Sequence, residues 1–309
     1  EGVTALLVVL VAAVAGGAAT ARLAGAGELL RLGAPVTLLG LGLGIVPFAA
    51  EGGFGVLGTG FNVDMSQHLF AADWLADPRG PAPGLYEQGY PLGPHALAVA
   101  TAEIGGEPAT AFSGVTIAAP VLLALSALGA CAGLGRTRAV GVALLTGFAY
   151  LVATYLAQGS FKELFAAVLL VGFALLLAET SRLPGVGWRA GIPFGVLAAG
   201  ALYAYSGPGV AWLVGTAAIW AAIELVRRRV EATRLVRLAL PVAIAAIAAT
   251  LVLAAPEADR IVDFGGSVGT VSERAQAAPS ATAAQGASDA TGGERRRGPE
   301  FDDDLGNLF

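Results

Sequence analysis

Cysteine, lysine, methionine and histidine are almost missing from this 309-residue chain, which has one Cys, one Met, two His and a single lysine, Lys162, beside seventeen arginines. One cysteine excludes an intrachain disulfide and a metal centre built on thiolates. Cys131 lies in an apolar run and reads as a small buried hydrophobe. Charge is scarce as well: 13% of residues are charged and 56% are hydrophobic, with a mean hydropathy of +0.72. A soluble domain of this length needs about 25% charged residues to coat its surface. That shortage excludes an ordinary soluble domain and points to an all-α polytopic membrane protein. The net charge of −5 comes mainly from one loop and the C-terminal tail and gives nucleic acid no basic surface to bind. The excess of arginine over lysine suggests a GC-rich bacterial genome. No cleavable signal is legible, because no basic residue precedes the apolar stretch 3–21. Glu1 reads as an internal start, so the chain is expected to be a piece of a longer protein.

What is abundant is long apolar sequence. Crossing a bilayer takes about 20 mostly apolar residues in a helix, since every backbone group must find its partner within the segment. Eight runs qualify, at about 3–21, 34–50, 108–133, 139–157, 161–181, 190–205, 209–226 and 236–255. Pro120, Pro193 and Pro241 fall inside or at the starts of these runs, positions that membrane helices tolerate. Arg22, Arg31, Arg136, Arg138, Arg182, Arg189, Arg227, Arg228, Arg229, Arg234 and Arg237 occupy alternate connections, against Arg79 and Lys162 in the others. By the positive-inside rule the arginine-rich connections are cytoplasmic. The long loop 51–106 and the tail 256–309 are then expected outside a bacterial plasma membrane. The tail is rich in Ala, Ser, Gly and charge, cannot bury a core, and reads as a disordered linker to a missing C-terminal part. Residues 1–255 form the expected transmembrane domain.

Polar side chains concentrate in the loop. Asn62 suits an N-cap for a helix running to about Ala76, with Asp64 in the first turn where the helix dipole favours a negative charge. Met65, Leu69, Ala72 and Ala76 make an apolar stripe; Asp64, Gln67, His68 and Ala71 make another face. Such a helix is expected to lie in the membrane interface. Asp64 and His68, one turn apart, could share a hydrogen bond, present one face to a metal, or do acid and base work; a solvated His beside an acidic first turn explains the spacing equally well. The stretch from Asp77 through Arg79 to Gly84 is irregular, and Pro94 suits the first position of a second short helix. His95 stands at that helix's mouth, near N–H groups that attract phosphate, or serves only as a local cap. Lys162 and Glu163 meet at the outer junction of two spans, where the lysine either snorkels beside its carboxylate or binds an anion. The turn from Tyr203 to Gly209 reads as a belt of interfacial aromatics.

These loop residues resemble the C-type integral membrane glycosyltransferases, which use polyprenyl-phosphate sugars. The features shared are an early Asp in an amphipathic helix (Asn62, Val63, Asp64, then His68), a Tyr-Pro-x-Gly-x-His element (Tyr90 to His95), and many Ala- and Leu-rich spans after it, over about residues 34–255. The resemblance implies that Asp64 is a general base. It would deprotonate an acceptor hydroxyl, on a glycan, lipid or protein, as that hydroxyl attacks the sugar with inversion. The candidates for donor phosphate or substrate contact are His68, Arg79, Tyr90, His95, Lys162 and Glu163. A divalent cation is used by some members, but no ligand set is legible beyond Asp64 and His68, and no metal ligand is assigned. In such enzymes the catalytic loop usually follows the first span; here a span precedes it. Two other readings stand beside this one: a transporter or lipid flippase, and a non-catalytic membrane scaffold.

Overall fold

The computed structural model describes residues 26–57, 64–80, 89–104, 107–131, 134–181, 187–228 and 232–264. The expected span at 3–21, Asn62, and the part of the expected tail 256–309 beyond residue 264 lie outside the described residues; residues 256–264, read from composition as tail, instead continue the helical path of the last span. Among those described, regular structure is entirely helical. In chain order the helices are α1 (Ala26–Ala50), α2 (Asp64–Ala76), α3 (Gly93–Ala102), α4 (Pro108–Ala130), α5 (Arg136–Gly147), α6 (Tyr150–Gln158), α7 (Phe161–Thr180), α8 (Gly191–Arg228) and α9 (Ala232–Ala254). A tight turn at Ala255–Glu257 follows α9, and the helical path then continues to residue 264.

Among the described residues, five helices are long and apolar enough to cross a membrane: Arg31–Ala50, Pro108–Ala130, Phe161–Thr180, Trp188–Arg227 and Ala239–Phe264. A sixth appears if α5 and α6, bent by 47° at their junction, make one broken span. Their outer faces carry large aliphatic side chains in the open, among them Leu38, Leu145, Val214 and Leu251, each more than 60% exposed. Apolar surface on that scale is covered by lipid rather than water, so the chain is an integral membrane protein.

α4 is the hub. It packs against α1, α5, α7 and the two short helices α2 and α3. Small residues permit the close approach. A Cβ added to Gly44 of α1 would lie 2.7 Å from Ile117, and one on Gly147 of α5 would lie 2.6 Å from the Pro120 carbonyl. α7, α8 and α9 form a second group around Phe173, Leu177, Phe194, Ala201 and Leu213. Here Gly191 and Gly195, four apart on α8, lie against the backbone of α9 at Val242 and Ala246, the small-xxx-small packing that membrane helices use in place of a hydrophobic driving force.

The expected spans 190–205 and 209–226 emerge as one helical element with a break inside it. Ser206 holds φ 53° and ψ −145°, close to a region that residues other than glycine rarely enter. A Cβ on Gly209 would sit 2.7 Å from the Ala201 carbonyl oxygen. In a straight helix, residues eight apart are separated by about 12 Å along the axis, so the chain turns back sharply at Ser206. Leu213 then packs in one cluster with Phe194.

The ends of the bundle differ in character. Arg136 donates to the Arg31 carbonyl at 3.2 Å, which puts the α1 start and the α4–α5 connection at one end. At the opposite end meet the start of α4, the α6–α7 junction, both short helices, the Ser206 turn and the helical extension after α9.

Candidate functional site

At this second end the first helix to consider is α2. Met65, His68 and Ala72 face the bundle and are buried, while Ser66, Phe70 and Asp73 are exposed. His68 therefore sits on the buried stripe with Met65, not on an open polar face as its neighbours in sequence led us to expect. Two contacts fix that rotation. The Leu57 N–H reaches the Met65 sulfur at 3.0 Å, and Gly159, which ends α6 in a left-handed conformation at φ +76°, would place a Cβ 2.5 Å from the Met65 Cβ. Glycine is required there for both reasons.

α3 starts as its proline suggested, with Pro94 in the first helical turn, and ends after ten residues. Gly93 lies against the Tyr203 backbone, where a Cβ would be 2.8 Å from the carbonyl oxygen. This approach brings His95, fully buried, up to His68: His95 Nε2 and His68 Nδ1 are 3.0 Å apart. Phe161 packs against both imidazoles, with ring centroids 5.5 and 6.0 Å away. His95 Nδ1 is buried and has no hydrogen-bond partner among the described residues. The outer nitrogens of both rings, His95 Nδ1 and His68 Nε2, are buried, so one imidazole donates this hydrogen bond and the other accepts it according to their tautomers. Burial holds the His95 pKa well below its usual 6.5, and the nearby His68 and Lys162 charges push it the same way. His95 is a neutral imidazole at physiological pH.

Tyr90 connects this pair to charge. Lys162 Nζ donates to the Tyr90 hydroxyl at 2.5 Å and lies 4.7 Å from the Tyr90 ring centroid and 5.5 Å from that of Tyr205. Two ring faces and a phenol oxygen stabilise the ammonium without cancelling its charge. Glu163 accepts from the Tyr205 hydroxyl at 3.0 Å. Adjacent in sequence, Lys162 and Glu163 thus find separate partners among the described residues. Tyr205 precedes the strained Ser206 and stacks on Trp212 at 4.9 Å between centroids.

The remaining wall comes from the helical extension. Arg260 Nη1 donates to the Gly89 carbonyl at 2.9 Å, its Nε pairs with Glu257, and Phe264 sets its ring edge-on to Tyr90 with centroids 6.1 Å apart. Gly89 has φ +75°, and a Cβ there would lie 2.6 Å from the Arg260 carbonyl oxygen.

Of the residues picked out by sequence, Tyr90, His95, His68, Lys162 and Glu163 converge here. Asp64 opens α2 one turn before His68; its side chain lies outside the described residues. Arg79 is not in the group: it is solvent-exposed beyond α2 and pairs with Asp77 at 2.5 Å. Tyr205, Phe161, Arg260 and Phe264 are participants that the sequence did not assign to the site; Tyr205 was read there as a belt aromatic. For Tyr205 a signal existed in the aromatic turn before Gly207-Pro208. Arg260 lies in a stretch that composition alone assigns to the tail. Among the described residues no group of three or more His, Cys, Asp or Glu side chains could hold a metal; His68 and His95 are the two imidazoles that could contribute ligands. No known protein family, curated protein or solved structure matches the chain.

Proposed function

We propose that the chain is a membrane glycosyltransferase of the C-type class, moving a sugar from a polyprenyl-phosphate donor to an acceptor hydroxyl on the non-cytoplasmic face. The observation that carries the reading is the meeting of Tyr90 and His95, from the Tyr-Pro-x-Gly-x-His element, with the only lysine, 72 residues further on. The result is a charged, aromatic-walled site at the end of the bundle away from Arg31 and Arg136. Topology fits the same reading. If the two arms of α8 on either side of Ser206 count as separate spans, α5 with α6 counts as one, and 3–21 crosses, there are eight spans, and the positive-inside rule puts the site outside.

In this mechanism the acceptor oxygen attacks the anomeric carbon while the bond from that carbon to the phosphate oxygen breaks. The electron pair leaves with the polyprenyl phosphate, and the acceptor proton passes to Asp64. Lys162 stabilises charge as it grows on the departing phosphate, the role that an oriented cation in a water-poor site performs most effectively. Ionisable groups in the described spans lie near their ends, which favours surface chemistry over transport, where such groups gather near the midplane.

The test is sugar transfer from polyprenyl-phosphate donors in membranes containing the protein, comparing wild type with Asp64→Asn and Lys162→Met. Loss of one catalytic base or cation costs on the order of a hundredfold or more in rate. Transfer by Asp64→Asn at the wild-type rate would remove the catalytic assignment.

A further inference from the structure

Two positive charges border Tyr90, and the structure gives neither a full set of partners. Lys162 has only the Tyr90 hydroxyl and two ring faces among the described residues. Arg260 has a side chain only 14% exposed. Its Nη1 and Nε are used by Gly89 and Glu257, but its Nη2 is buried and meets no acceptor among the described residues. A buried guanidinium N–H without an acceptor is costly, and Arg presents its donors as a planar fork suited to phosphate. Glu257 on Arg260 and Glu163 on the Tyr205 hydroxyl bring two carboxylates to the same end of the bundle, and neither meets Arg260 Nη2. The backbone around them is set rather than loose. Gly89 is pinned beneath the Arg260 carbonyl, and Phe264, one turn beyond Arg260, closes on the Tyr90 ring.

We propose that Arg260 and Lys162 flank Tyr90 as the two cations of a binding site for a phosphate-bearing ligand, so that the helical extension after α9 is part of the site wall. The inference deepens the glycosyltransferase reading by naming a residue that would hold the donor's phosphate, yet anion binding at Arg260 can be measured without any sugar transfer. The shared chemistry is a phosphate at the membrane surface, either carried by a lipid or free.

Binding to the purified full chain in detergent micelles tests it, with farnesyl phosphate as probe, farnesol as the neutral control and inorganic pyrophosphate as competitor. Farnesyl phosphate is expected to bind and farnesol not. Arg260→Gln should weaken binding roughly tenfold or more, the usual loss for a hydrogen bond to a charged group. Glu257→Gln, which removes the competing carboxylate and leaves the arginine in place, should tighten it. The opposite signs separate a charge role from a structural one, and Glu257→Gln carries the test alone if Arg260→Gln does not fold. Displacement by pyrophosphate would make a free phosphate sufficient; failure to displace would make the lipid-borne phosphate the ligand. Equal affinity in Arg260→Gln, weaker or unchanged affinity in Glu257→Gln, or farnesol binding as tightly as its phosphate would each overturn the inference. Binding that depends on Arg260 in a protein without transferase activity would uphold it and sink the glycosyltransferase reading. Transfer that is indifferent to Arg260 would do the reverse.

Discussion

Lowering the pH from 7.5 to 5.5 should destabilise the fold through His95. In the folded protein its imidazole is buried against His68 from α2, Tyr90 from the preceding loop, and Phe161 and Lys162 from α7. None of these offers it a negative charge. Its pKa is held well below 6.5 by burial first, and then by the His68 and Lys162 charges. The unfolded chain therefore binds a proton near pH 6.5 that the folded chain refuses. Between 6.5 and the lower folded pKa, stability falls as pH falls; above 6.5 the contribution is constant. The slope approaches about 1.4 kcal/mol per pH unit, so one unit below 6.5 the loss is about 1.4 kcal/mol while folded His95 stays neutral. Unfolding in mixed detergent micelles, followed by tryptophan fluorescence at pH 7.5, 6.5 and 5.5, measures it. Carboxylates titrate in any variant, so the informative quantity is the stability of wild type minus that of His95→Gln, which should fall by about that amount on acidification. A constant difference across the three pH values would refute the argument.

Two further predictions concern packing. Ser206→Gly should stabilise the protein by about 1–2 kcal/mol, because glycine enters the φ 53°, ψ −145° conformation freely; a lower thermal midpoint than wild type would show that the serine side chain matters more than its backbone. Gly195→Ala puts a Cβ 2.5 Å from that of Ala249 and should cost about 1–3 kcal/mol by forcing α8 from α9. Gly215→Ala, which meets nothing within 4 Å, is the matched control, and equal melting of the two variants would contradict the packing account.

Much of this was written locally in the sequence. The apolar runs mark the helices because a span must satisfy its own backbone, and Pro94 marks the start of α3 because a proline fits a first turn. Failures came where tertiary partners decide. His68 looks polar on a helical wheel, yet it turns inward because it shares a hydrogen bond with His95, 27 residues away, that local periodicity does not reveal. Lys162 and Glu163 look like a self-neutralising pair, but successive residues on a helix point about 100° apart, and each finds its own tyrosine. The reversal at Ser206 carried a signal in Gly207 and Pro208. The break between α5 and α6 carried almost none: it falls at Phe148 and Ala149, where Gly147 must fit beneath Pro120 of another helix. Arg260 follows a composition that reads as tail, and only its contact with Gly89 reveals it.

That contact joins positions 171 residues apart, and it sets an order of events during synthesis. The Tyr90 end of the bundle receives its histidines early, its lysine and Glu163 about midway, and its arginine and Phe264 only after α9 has been made. A nascent chain halted before residue 255 would leave the Gly89–Tyr90 corner without Arg260 on its carbonyl and without Phe264 against its ring. Long-range closure of this kind is slow and comes last, so the Gly89–Arg260 contact forms as one of the final steps of membrane insertion, and protease access at that corner would report when the step is done.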